Sequence, residues 1–246
     1  MERDEERLSM LGNGKIALLL ILLSVGCMAM LQFREQLTGE IRFYFMMWNL
    51  FLAWLPYAAS VTATFFFRNL PAGAFRYTIV AALGVLWLLF FPNAAYLTTD
   101  FVHIIANRQE YLVNGTFGYL VWYDVVLFFF FAWCGIFLGF LSFYQFHRLV
   151  ALRAGKAAGW MFVAAASLLC GYGVFLGRIV RLNSWDALVD PIGLLGQVLD
   201  HVHRSGAAFS LLFSVFVAAT YLFLYFLQKP SDLPSAKKQS SNAARM

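Results

Sequence analysis

The sequence predicts an all-α fold: a polytopic transmembrane helix bundle of about six spans. Composition is the first observation. Of 246 residues, 61% are hydrophobic and only 13% are charged, against roughly 45–50% apolar and about 25% charged in soluble domains. Run length is the second, because several apolar stretches reach the ~20 residues that cross a ~30 Å hydrocarbon core as a helix. Third, the polar stretches between the runs are too short to form a soluble domain. Residues 1–228 therefore read as a single bundle domain, and 229–246 as a disordered cytoplasmic tail rich in Pro, Ser, Lys and Ala.

The apolar runs cover roughly 16–33, 43–67, 75–97, 119–144, 158–177 and 207–228. Each must be helical, since backbone polar groups in lipid have to be satisfied within their own segment. The first follows a stretch of mixed charge and shows no small-residue cleavage site, so it is expected to be retained rather than removed as a signal. Cys27 follows Ser24-Val25-Gly26 but lacks the leucine of a lipidation box. The third run contains Pro92, which removes one helical hydrogen bond and clashes with the preceding turn. A kink is expected near Leu88–Pro92, with a freed carbonyl beside Asn93. In the fourth run Gly135 and Gly139 are four apart, a spacing that lets helices approach closely.

Between the fifth and sixth runs, Ile192, Leu195, Leu199 and Val202 recur at three- or four-residue spacing. This predicts an amphipathic helix lying on the membrane interface. Asn183 or Ser184 would cap the segment before it, with Asp186 in its first turn.

Orientation follows from Lys and Arg. Of 18 such residues, six fall in connections on the side away from the termini: Arg34, Arg42, Arg108, Arg178, Arg181 and Arg204. The other twelve fall with the termini, which places both termini in the cytoplasm. His147, beside Arg148, reads as a membrane-surface anchor on that side.

Ionisable and amide residues within membrane segments are costly and mark functional positions by default. With six spans, those of the second to fifth runs are expected at one face, the outer one. Asn49 lies in the outer part of span two. Asn93, Asp100 and His103 lie at the end of span three, with Thr98 or Thr99 placed to cap a helix there. Asp124 lies one turn into span four, and Arg178, Arg181, Asn183 and Asp186 follow span five. Asp124 is the sharpest of them, because a carboxylate in a phenylalanine-rich helix needs a cation. Its natural partners are Arg178 and Arg181. Asp100 and His103, three apart on one helical face, suit a proton relay or a structural pair.

Several classes are excluded. Three cysteines inside apolar runs do not make a disulfide framework. Neither Asp100 with His103 nor His201-Val202-His203 amounts to a metal site, so no metal and no cofactor is expected. No P-loop, dinucleotide fingerprint or nucleophile elbow is present. The net charge of +5 is accounted for by topology and calls for no nucleic acid.

Phe91-Pro92-Asn93-Ala94-Ala95-Tyr96 with Thr99-Asp100 and His103, then Trp122-Tyr123-Asp124, then Gly177-Arg178 with Arg181 and Asn183-Ser184-Trp185-Asp186 resemble an uncharacterised family of bacterial integral membrane proteins, domain of unknown function 1361. In that family's pattern a second proline stands at the position of Ala95 and a tryptophan at that of Leu182. The resemblance implies a bacterial plasma membrane location and transfers no activity.

The favoured reading is a membrane protein that binds or transports a small or lipid-headgroup anion in a polar pocket at the outer face. Its ligand-binding candidates are Asn49, Asn93, Asp100, Asp124, Arg178, Arg181, Asn183 and Asp186, and its partners are membrane lipids. Two alternatives stand beside it. One is a membrane-embedded enzyme acting on a lipid-linked phosphate, with Asp100, Asp124 or His103 as catalytic candidates. The other is a structural or assembly subunit of a membrane complex.

Overall fold

The computed structural model describes residues 14–182 and 204–228. Among them six helices are long and apolar enough to cross a membrane. They are Gly14–Thr38, Phe45–Asn69, Ala74–Ala106, Tyr119–Ala154, Lys156–Val180 and Gly206–Gln228, hereafter spans one to six. The fold is the expected all-α polytopic bundle. With six such helices among the described residues, the start of span one and the end of span six lie on one face, the terminal face, and the first, third and fifth connections on the opposite face. The interfacial helix expected over 192–202, its caps Asn183, Ser184 and Asp186, and the tail after 228 lie outside the described residues.

Span one runs one turn further than its apolar stretch, to Thr38. Its buried residues are Leu20, Ser24, Cys27, Leu31 and Arg34. They alternate at spacings of four and three, the seam of a left-handed helix pair. Arg34 is therefore the last buried position of a continuous stripe, not a connection residue as its charge suggested. Span two keeps the same rhythm through Met46, Leu50, Ala53, Tyr57, Ser60 and Thr64.

Span four is the axis of the bundle. At 36 residues it is longer than its apolar run, about 54 Å at 1.5 Å per residue, and overshoots the hydrocarbon. Spans one, two, three and five all pack on it.

Span three breaks where Pro92 predicts. Its first helix ends at Phe90, a short helix covers Pro92–Tyr96, a 3₁₀ turn covers Leu97–Phe101, and Val102–Ala106 returns to α. The Asn93 amide nitrogen donates to the Phe90 carbonyl at 3.0 Å. Asn93 thus repairs the broken helix with its own side chain. Glycines on both neighbours grip the broken segment. A Cβ at Gly135 of span four would lie 2.3 Å from the Ala94 carbonyl oxygen, and one at Gly173 of span five 2.4 Å from Pro92 Cγ. The close approach expected of Gly135 and Gly139 is therefore made to span three.

Span five ends in a π turn, Leu176–Val180, and Arg181 follows with φ +67°. One-turn π segments recur at functional sites. This one faces the short helix and the 3₁₀ turn of span three: a Cβ at Gly177 would meet the Tyr96 ring at 3.4 Å, and Arg178 reaches the Thr99 carbonyl at 2.6 Å.

Gly135→Ala is expected to lower stability by about 1–3 kcal/mol, since backbone cannot retreat from the added methyl. Gly139→Ala, whose Cβ would meet side chains alone, the Ala94 methyl at 3.2 Å and the Phe91 ring at 3.8 Å, is expected to cost less. Thermal unfolding of the purified protein in detergent ranks the two, and equal melting temperatures would contradict the close approach at Ala94.

Candidate functional site

Asp124 and Arg34 are both buried, at 0% and 2% exposure. Arg34 Nε donates to Asp124 Oδ1 at 2.7 Å and Nη2 to Oδ2 at 2.9 Å, a side-on fork of two parallel bonds. The Tyr111 hydroxyl donates to Oδ2 at 2.8 Å. Burial and its bond to Asp124 push the Tyr111 phenol upward, so it stays a donor at any physiological pH. Phe43 lays its ring 4.6 Å from the Arg34 guanidinium and takes a left-handed backbone, φ +64°, at that position. A bulky residue adopts that conformation only where its surroundings enforce it.

This corrects the expected pairing: the cation for Asp124 comes from span one, not from Arg178 or Arg181. Tyr111 was also missed. It is delivered by a two-stranded hairpin, Leu112–Val113 with Thr116–Phe117. Asn114 (φ +53°) and Gly115 (φ +80°) turn it. Asn-Gly between short apolar pairs is the sequence signal for such a turn.

Asp100 is equally buried, at 0%, but its environment differs. Asn49 Nδ2 donates to Oδ2 at 3.1 Å. Arg178 Nη1 lies 3.2 Å from Oδ1, yet Oδ1 accepts no hydrogen bond. The guanidinium donates elsewhere, to the Tyr96 hydroxyl at 3.1 Å and the Thr99 carbonyl at 2.6 Å, with the Tyr96 ring 5.0 Å beneath it. Charge attraction holds this pair without the directional bonds that seal the first. Arg178 also keeps 16% of its side chain exposed, and Arg181, three residues on, is exposed.

The structure thus brings together Asn49, Asp100 and Arg178, from spans two, three and five, as the topology predicts. It leaves Asp124 out. Rings connect the two pairs: Phe43 contacts Phe128 at 5.0 Å, and Phe128 contacts Phe101, beside Asp100, at 6.0 Å. His103 packs on Phe45 at 4.7 Å and makes no pair with Asp100. Thr98 and Thr99 cap nothing. Their hydroxyls donate to the carbonyls of Ala95 and Tyr96, which tightens the 3₁₀ turn. Asn183 and Asp186 lie outside the described residues. Among the described residues no three His, Cys, Asp or Glu side chains group as metal ligands.

His147 is not the surface anchor its neighbour suggested. It is buried, with Nδ1 2.5 Å from the Tyr221 hydroxyl of span six and its ring 4.8 Å from Trp160. A small apolar recess lies nearby between spans three, four and six, lined by Phe91, Ala94, Gly139, Phe143, Val217 and Tyr221 among others. None of the candidate ligand-binding residues lines it.

Residues 48–220 match a family described as Protein of unknown function (DUF1361). The chain belongs to that family. The DUF1361 match contains Asn49, Asp100 and Arg178 and begins after Arg34, so the Asp100 pair lies wholly within it and the Asp124 pair does not. No curated protein and no solved structure matches this DUF1361 chain.

Removing one partner of a sealed ion pair strands the other charge, typically at about 3–5 kcal/mol, whereas apolar replacement of both is often neutral. Arg34→Gln is accordingly expected to destabilise strongly. Arg34→Met combined with Asp124→Leu should recover most of the loss, and Tyr111→Phe should cost about 1–3 kcal/mol. Chemical unfolding of the three variants measures this; a double variant no better than Arg34→Gln alone would overturn the assignment of this pair as a structural staple.

Proposed function

We propose that this multi-pass membrane protein binds or transports a small anion, or the anionic headgroup of a lipid, at the Asp100–Arg178 site. The single observation that carries the reading is the state of that pair. Two irregular helix segments, the 3₁₀ turn of span three and the π turn of span five, meet there around a buried carboxylate and a partly exposed guanidinium that share no hydrogen bond. Discontinuous helices facing one another at an ionisable group are the usual construction of a membrane ligand site. The positive-charge bias supports an outward-facing site in a bacterial plasma membrane, with both termini cytoplasmic.

Arg178 suits an anion because a planar guanidinium offers paired donors to carboxylate or phosphate. Its present acceptors, Tyr96 and Thr99, are neutral and exchangeable. Asp100 is the internal competitor: an incoming anion and the ionised carboxylate repel at close range. Asn49 fixes Oδ2, so the carboxylate stays in place as the ligand arrives. The enzyme reading asks for an accessible base; Asp124 is sealed by Arg34 and Tyr111, and Asp100 is fully buried beside Arg178. The structural reading describes that sealed pair well and leaves the loose one unexplained.

Binding of inorganic phosphate, glycerol phosphate and short-chain phosphatidylglycerol to the purified full-length protein tests the proposal by calorimetry. Arg178→Gln is expected to abolish binding. Asp100→Asn, which removes the competing charge, is expected to tighten it by about tenfold, or about 1.4 kcal/mol. Unchanged affinity in Arg178→Gln, or weaker binding in a folded Asp100→Asn, would sink it.

A further inference from the structure

Charge divides between the two faces of the bundle. The acidic side chains of the described residues, Glu35, Glu40, Asp100, Glu110 and Asp124, all lie towards the face away from the termini. The terminal face carries Lys15, Arg68, Arg76, Arg148, Arg153 and Lys156 and, among the described residues, no Asp or Glu.

Two of these cations converge. Arg76 stands in the first turn of span three and Arg153 in the last turn of span four. Both guanidiniums lie 4.9 Å from the centre of the Tyr77 ring. Arg76 Nη2 donates to the Tyr77 hydroxyl at 3.0 Å, and Nη1 donates to the Phe67 and Leu70 carbonyls at 3.2 Å, where span two ends. The Phe67 ring lies 4.8 Å from the same guanidinium. All of these partners are neutral. They fix Arg76 in place, while no carboxylate among the described residues meets its charge. Its Nε is closed off from solvent and has no acceptor. Like charges gathered on one ring repel one another, and an anion between them removes that cost.

Depth decides where the anion comes from. The first and last turns of membrane-spanning helices stand at the level of headgroup phosphates, where basic side chains between helices hold anionic lipids. Phe65 and Phe75, 59% and 71% exposed, stand beside the pair on spans two and three, where acyl chains begin. Guanidiniums offer a phosphate several directed donors. The Tyr77 hydroxyl, which accepts from Arg76, keeps its own proton to donate.

We infer that Arg76, Tyr77 and Arg153 clamp the phosphodiester of an anionic membrane lipid at the terminal face. This site is separate from the Asp100–Arg178 pair at the opposite face, and no described carboxylate competes with its ligand.

Full-length protein in detergent is mixed with phosphatidylglycerol and phosphatidylcholine, and bound lipid is counted by native mass spectrometry. The wild type and Arg178→Gln are both measured, so that lipid held at the opposite face is counted separately. Phosphatidylglycerol is expected to be retained in preference to phosphatidylcholine, and excess inorganic phosphate is expected to leave it in place. Arg76→Gln or Arg153→Gln should lower its affinity by about tenfold, the worth of a charge-assisted hydrogen bond. Lys15→Gln, which removes one charge from the same face on span one, should leave it unchanged. Arg153 is exposed, so Arg153→Gln carries the test if Arg76→Gln does not fold. Unchanged affinity in Arg153→Gln, an equal loss in Lys15→Gln, or displacement by inorganic phosphate would overturn the inference. So would binding that appears only after Glu2, Asp4, Glu5 and Glu6 are replaced by Gln, which would assign the site to the chain's own N-terminal acids.

Discussion

A carboxylate enclosed by hydrocarbon and phenylalanine pays several kcal/mol in lost hydration, and the bundle is arranged around meeting that demand at Asp124. Arg34 answers it with two parallel bonds and Tyr111 with a third. The consequences spread outward. Span one continues through Thr38 so that the guanidinium arrives at the right depth. Phe43 adopts an unfavourable backbone to cover it. The hairpin after span three folds back so that Tyr111 reaches over span four. Span one, the hairpin and span four are held together by one side chain.

The contrast with Asp100 gives the structure its functional content. Both carboxylates are fully buried and both lie beside an arginine. One is saturated by directional donors; the other is attracted to its arginine but not bonded by it. The difference arises from secondary structure. Asp124 and Arg34 project from regular helices whose seams are in register. Asp100 sits on a 3₁₀ turn and Arg178 on a π turn, where spacing along the helix is wrong for such a seam. Pro92 begins this irregularity, Asn93 and the two threonines stabilise it locally, and Gly135 and Gly173 give it room.

Several of these features were legible beforehand for local reasons. Pro92 must break a helix wherever it falls inside one. Gly135 and Gly139 lack side chains on one helical face, so a neighbour fills the space. Asn49, Asp100 and Arg178 share a face because span counting alone sets their depth. Charge alone puts Arg34 beyond the first span, whereas the helix carries it inside. The alternating four- and three-residue stripe from Leu20 through Cys27 and Leu31 runs straight into it and was the signal to follow. The charge of Arg148 likewise points His147 to the surface, whereas its own helical face turns it inward.

The sequence by itself determined that this chain is a helix bundle of about six membrane-spanning segments, where its third span breaks, and which end of the bundle carries its costly residues. All of these follow from run length, local sterics and the price of polar groups in lipid. Which arginine meets which aspartate was decided only by the tertiary structure. Azimuth around a helix and the packing of distant spans select between partners of identical charge and similar depth, and no property of either residue in isolation contains that choice.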